Sequence, residues 1–120
     1  MTEYIDALVA WARAMPMFNA CVLLLIAHVL DIASTVDVLR HGGYEANPLM
    51  RWAISFAERL GLSPALGMAL LKTALLIPLI YFADDSLPVL VVMLITALVV
   101  WHNTRVLDSL IRQALLGDKQ

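Results

Sequence analysis

The stretch that decides the fold is LDIASTVDVLRHGGYEANPLM, residues 30–50, where a long apolar segment ends and a new helix begins. In the segment that leads into it, residues 14–30, only Asn19 and His28 are strongly polar. A helix over 16–39 would reach about 35 Å, enough for a hydrocarbon core of about 30 Å. The pair Gly42 and Gly43 ends that helix. The stretch therefore predicts a membrane-spanning helix that carries polar side chains in its last third.

Composition places the whole chain in the membrane class. It has 120 residues, enough for one domain over 1–120, and 62% of them are hydrophobic. Soluble domains have about 45–50% apolar residues, so the excess must face lipid or a partner. The net charge of −2 gives no basic patch for nucleic acid. The single cysteine, Cys21, excludes an intramolecular disulfide and a paired-cysteine zinc site.

Four further segments follow from the apolar pattern. Residues 2–15 predict an amphipathic helix at the membrane interface, with Trp11 as an anchor. Asn47 and Pro48 start a helix over 47–60, which is too short for an ordinary span and is interfacial or re-entrant. Two more spans are predicted over 63–82 and 87–106, and the last continues as a helix to about 116. The predicted fold class is an all-α, polytopic helical membrane protein with three spanning helices.

The distribution of basic residues predicts the orientation. With three spans, one side of the membrane carries six basic residues and the other carries only Arg13. The six are Arg40, Arg51, Arg59, Arg105, Arg112 and Lys119. A four-span alternative divides the same residues five to two. We expect a cytoplasmic C-terminus and, because the acidic N-terminus lacks a cleavable signal, a multi-pass protein of the cell inner or plasma membrane.

Lys72 is the most unusual residue, because it lies near the middle of a predicted span. An ionised lysine there costs about 2.5–3.5 kcal/mol. The apolar residues of the span return only about 3–5 kcal/mol in total, so Lys72 should gain a partner. An alternative is that its side chain extends to the headgroups. On the first span His28, Asp31 and Thr35 lie within about 60° on one helix face.

The three-span topology brings these polar residues into one half of the bilayer. We predict a polar cluster or binding site of six residues: Asp31, Thr35, Glu45, Asn47, Lys72 and Asn103. A carboxylate close to Lys72 would hold both groups charged. The weak candidates for metal ligands are His28, Asp31, Glu45 and His102, since carboxylate and imidazole suit zinc, manganese or iron. No catalytic residue is predicted, and the sequence identifies no cofactor.

The order of D-x-x-x-T, a glycine-rich turn, E-x-N-P-L-M and a lysine in the next apolar helix resembles an uncharacterised family. That family consists of small bacterial and archaeal integral membrane proteins with a domain of unknown function. The matching residues extend over about 29–103 and are Leu30, Asp31, Thr35, Gly43, Glu45, Asn47, Pro48, Leu49, Met50, Lys72 and Asn103. Members often have Asn where this chain has His28. The resemblance implies an architecture and candidate residues, but no activity.

Three hypotheses for function remain open. The first is a structural or accessory subunit of a membrane assembly, with the lipid bilayer and either further copies or other membrane subunits as partners. The second is a cation-binding, metal-binding or transport-related protein. The third is an intramembrane enzyme that uses Glu45 or Asp31 as a base and Lys72 as an electrophilic stabiliser.

Overall fold

The structure, a computed structural model, describes residues 1–118 as five α-helices with no strand among them. The helices are α1 (Thr2–Ala14), α2 (Met17–Arg40), α3 (Pro48–Arg59), α4 (Pro64–Phe82) and α5 (Leu87–Asp118). Of these, α2, α4 and α5 are long and apolar enough to cross a membrane. The predicted all-α fold class with three such helices is confirmed. Lys119, which entered the orientation argument, lies outside the described residues.

The start of α3 is fixed by two residues of the quoted stretch. The side chain of Asn47 accepts a hydrogen bond from the Leu49 N–H at 3.0 Å, and Pro48 is the first helical residue. Asn47 is thus the N-cap that the sequence predicts. With 12 residues, α3 is about 18 Å long, which is too short to cross a bilayer.

Glycines at positive φ end two of the helices. Gly42 follows α2 with φ 86°, and the Gly43 N–H then donates to the carbonyl of Val38 at 2.9 Å. Gly61 follows α3 with φ 75°, and the Leu62 N–H donates to the carbonyl oxygen of Ala57 at 2.8 Å. A residue with a Cβ is strained at such φ values, which explains why these turns contain glycine.

An apolar cluster holds one end of the bundle, which we call the apolar end. It consists of the buried residues Ala12, Ala20, Leu24, Val89 and Leu90, from α1, α2 and α5. The Ser86 hydroxyl donates to the Met15 carbonyl oxygen at 2.5 Å, and Arg13 contacts Asp85 at 3.5 Å. These contacts attach the end of α1 to the turn between α4 and α5. They place that turn beside the start of α2.

At the opposite end, α3 packs closely on α4. Its buried residues Met50, Ala53, Ile54 and Ala57 form one stripe along the helix. Gly67 of α4 permits this approach, because a Cβ there would lie 2.7 Å from the Cβ of Ala57 and 2.8 Å from the carbonyl oxygen of Ala53. The chain thus returns along α4 from the end of the bundle that α2 reaches.

Helix α5 lies along α2 and then continues past it. At the end of α2, a Cβ on Gly43 would stand 3.1 Å from Cδ1 of Leu110, so the two elements touch there. Beyond this contact the apolar side chains Ile111, Leu115 and Leu116 are exposed. The final segment of α5 therefore projects from the bundle as an uncovered helix.

Candidate functional site

The centre of the candidate site is a contact between Lys72 of α4 and Asp31 of α2. The ammonium group of Lys72 donates to Oδ2 of Asp31. The side chains are only 14% and 8% exposed, respectively. Lys72 therefore does not extend to the headgroups, which was the alternative that the sequence left open. The charge of each residue is compensated by its partner inside the bundle.

Asn103 of α5 extends this contact to a third helix. Its Nδ2 group lies 3.0 Å from Oγ1 of Thr35, 3.1 Å from Oγ of Ser34 and 3.5 Å from Oδ1 of Asp31. The Thr35 hydroxyl is also within 3.5 Å of the same Asp31 oxygen. We call Asp31, Ser34, Thr35, Lys72 and Asn103 the polar network. It joins the three helices of spanning length at one level.

A pocket of about 350 Å³ lies over the polar network. The loop between α2 and α3 covers one side of it with Tyr44, Glu45 and Asn47. Oε1 of Glu45 accepts a hydrogen bond from the Asn47 N–H at 3.0 Å. All six residues of the predicted cluster therefore line one cavity. They are Asp31, Thr35, Glu45, Asn47, Lys72 and Asn103.

The two carboxylates of the cluster have different surroundings. Asp31 is buried and pairs with Lys72. Glu45 is half-buried and forms no ion pair with Lys72 within residues 1–118, because its contact is with the start of α3. The sequence predicted a carboxylate close to Lys72. Asp31 is that carboxylate, whereas Glu45 contacts the start of α3.

The two histidines of the predicted metal set occupy separate positions. His28 is buried, and neither of its ring nitrogens has a hydrogen-bond partner within the described part of the chain. His102 is exposed and lines the pocket together with Glu45 and Asp31. Among residues 1–118, no group of three or more His, Cys, Asp or Glu side chains is arranged to hold a metal ion.

One member of the polar network was not predicted from the sequence. Ser34 donates its hydroxyl to the backbone carbonyl of Asp31 at 3.1 Å and accepts from Asn103. It lies three residues after Asp31, on a neighbouring face of the same helix. The sequence could have indicated this role through the adjacent pair Ser34 and Thr35, because two neighbouring hydroxyls can bind one amide group from another helix.

These features define a class: a small helical protein with three helices of membrane-spanning length and a polar network between them. The family model DUF5658, a domain of unknown function, matches residues 22–108. The chain belongs to this family, and the predicted resemblance to an uncharacterised family is confirmed. The matched segment includes the whole polar network. Comparisons with curated proteins and with solved structures give no match.

Proposed function

We propose that this protein is a structural or accessory subunit of a membrane assembly, with the polar network fixing its helices inside the bilayer. The observation that carries the proposal is the convergence of Lys72, Asp31 and Asn103 from three different helices on one point. Two ionised groups within a bilayer are costly unless they are paired. Here each polar group finds a partner on another helix, as a structural crosslink requires.

A second observation concerns the surface for a partner. Helix α5 has 32 residues and is about 48 Å long, whereas a span needs about 30 Å. Its final segment exposes Ile111, Leu115 and Leu116. Ile111 and Leu115 form an apolar stripe on one helix face, with Arg112 at its edge. An apolar stripe on a helix that leaves the bundle fits the surface of another protein better than it fits water. We propose this stripe as the contact with the partner subunit.

The proposed setting is the cell inner or plasma membrane, with the projecting end of α5 in the cytoplasm. Arg40 is the last residue of α2, and Arg51 and Arg59 lie in α3, which follows α2 at the same end of the bundle. Basic residues next to spanning segments favour the cytoplasmic side. Arg13 lies near the apolar end, as expected for the single basic residue on the opposite side of the membrane.

Affinity purification of the full chain in mild detergent tests the subunit proposal. We expect a second membrane protein to co-purify in a fixed ratio with the wild type. Leu115→Glu should abolish recovery of that protein, because the substitution places a charge on the apolar stripe. Gln113→Glu adds the same charge beside the stripe and serves as the matched control. A monodisperse homo-oligomer that never carries another protein would contradict the proposal.

A cation-binding or transport-related role is the second candidate. Its basis is that Asp31, Glu45 and His102 line the same pocket, although within residues 1–118 they are not arranged as a metal site. Metal analysis of the purified chain tests this role, with Glu45→Gln and His28→Ala as comparison variants. A cation site predicts stoichiometric metal in the wild type and a loss in Glu45→Gln. Negligible metal in the wild type would eliminate metal binding.

A further inference from the structure

The pocket is lined by α4 on one side and by α5 on another. Near their connecting turn the two helices share an apolar contact, in which Leu76 and Leu79 pack against the cluster that contains Leu90. Further along the helices, the pocket separates Lys72 on α4 from Ile95 and Val99 on α5. The latter two are 55% and 42% exposed, so they form a rim that faces the surroundings of the bundle. We call this opening the lateral cleft.

Charged and apolar groups follow a definite order along the lateral cleft. Glu45 lies outermost, in the loop at the end of α2. Lys72 is the ninth residue of α4 and lies about 12 Å along the helix from its start. Ile95 lies in the first third of α5, which runs from the opposite end, and is therefore the deepest. The order from the loop inwards is a carboxylate, the ammonium group that pairs with Asp31, and apolar side chains.

Two groups of the cleft have hydrogen-bonding capacity left. An ammonium group has three N–H donors, and within the described residues Lys72 uses one of them, on Asp31. Glu45 accepts from the Asn47 N–H through Oε1, which leaves Oε2 for another donor. The floor of the cleft can thus donate to an oxyanion, while its outer end can accept from an ammonium group. The volume of about 350 Å³ is within the range of small-molecule sites, about 300–1,000 Å³.

We propose that the lateral cleft binds the headgroup of an aminophospholipid. Its ammonium group lies beside Glu45, its phosphate accepts from Lys72, and an acyl chain leaves past Ile95 and Val99 into the bilayer. The order of these groups, a carboxylate, the remaining N–H donors of Lys72 and apolar side chains, is the complement of ammonium, phosphate and hydrocarbon in such a lipid. This binding site goes beyond the subunit role and needs no partner protein.

The same geometry predicts a preference among lipid headgroups. An ethanolamine headgroup has N–H donors for Glu45, whereas the quaternary ammonium of choline has none and is bulkier. A glycerol headgroup has no positive charge to meet the carboxylate. Diacylglycerol lacks the phosphate that would accept from Lys72. The expected order of retention places phosphatidylethanolamine above phosphatidylcholine and phosphatidylglycerol, with diacylglycerol last.

Native mass spectrometry of the full chain in detergent tests the proposal. Dioleoyl phosphatidylethanolamine, its choline and glycerol counterparts, dioleoylglycerol and inorganic phosphate are added separately. Val99→Trp, which fills the rim of the cleft, should lower retention of the ethanolamine lipid by about tenfold, or 1.4 kcal/mol. Leu98→Trp is the matched control, because Leu98 is exposed on α5 and does not line the pocket. It should leave retention unchanged.

A second variant tests the charge argument without touching the rim. Glu45→Gln should remove the preference for the ethanolamine over the glycerol headgroup while keeping the melting temperature of the protein. Equal retention of all four lipids by the wild type would overturn the proposal. So would undiminished lipid retention by a folded Val99→Trp, or binding of inorganic phosphate without any lipid. Because the purified chain alone is used, these outcomes are independent of whether a partner subunit exists.

Discussion

The two ends of the bundle are held together by different kinds of contact. At the apolar end, Leu24 of α2 packs against Val89 and Leu90 of α5. Two to three helical turns along the same α2, Asp31 and Thr35 meet Lys72 and Asn103 through charged and hydrogen-bonding groups. The same pair of helices, α2 and α5, therefore changes from aliphatic to polar contact along its length.

The two kinds of contact differ in how strictly they specify the arrangement of the helices. In a bilayer, lipid chains are as apolar as leucine, so aliphatic contacts gain from close packing but not from the removal of water. Aliphatic side chains also tolerate a shift of register more readily. The polar network requires one register, because a shift of any helix would leave a charge or an amide without its partner. We infer that the apolar end adds packing energy and the polar network selects the structure.

The largest effect is expected for Lys72→Met, which leaves Asp31 buried without its cation. The free energy of unfolding should fall by about 3–5 kcal/mol, the cost of breaking a buried ion pair from one side. Denaturant titration in bicelles measures the loss. Adding Asp31→Asn should recover part of it, because the remaining groups are then neutral. Adding Glu45→Gln should recover nothing, since Glu45 does not pair with Lys72. Strictly additive losses for the first pair would contradict the ion pair.

An intermediate effect is expected for Leu24→Ala at the apolar end. Leu24 is 1% exposed, so its truncation leaves a cavity between α2 and α5. We expect a loss of about 1–3 kcal/mol, below that of soluble cores because lipid supplies no hydrophobic transfer term. Leu25→Ala, on the exposed side of the same helix, is the control and should change little. A loss at Leu24 larger than that at Lys72 would reverse the comparison between the two ends.

The smallest effect is expected for Asn103→Leu, which removes the third helix from the polar network. Interhelical hydrogen bonds in membranes contribute about 0.6 kcal/mol on average and up to about 1.7 kcal/mol. The expected loss lies in that range, because Asp31 keeps Lys72 as its partner. Thr104→Val is the control, since within residues 1–118 the Thr104 hydroxyl bonds only to its own helix at Val100. Equal losses for both variants would show that Asn103 contributes no contact between helices.

Much of this fold could be predicted from the sequence because bilayer spans have a strict length and composition. Asn47 and Pro48 are local signals whose effect does not depend on the rest of the chain, and the predicted cap is confirmed. For Lys72, energetic grounds alone predicted either a partner or a side chain that extends to the headgroups. The candidate residues Asp31, Thr35 and Asn103 followed from depth, because a three-span topology places them at one level.

Other features depend on how helices rotate about their axes, which a sequence pattern determines only within broad limits. Asp31 and Glu45 were equal candidates for Lys72, and only packing placed Asp31 beside the ammonium group. The role of Ser34 depends on the distance between α2 and α5, which local periodicity does not set. The pocket depends on how α4, α5 and the loop before α3 are arranged around the polar network, which local sequence patterns do not determine.

Helix α5 is continuous from Leu87 to Asp118, so its outer segment is joined rigidly to the part that contacts α2. The contact of Leu110 with the turn at Gly43 divides the helix into an inner and an outer arm. The inner arm contains Asn103 with its bonds to α2, and the outer arm contains the exposed segment around Leu115. Because the helix is continuous through this contact, we expect a sideways displacement of the outer segment to shift the Asn103 amide in the opposite direction.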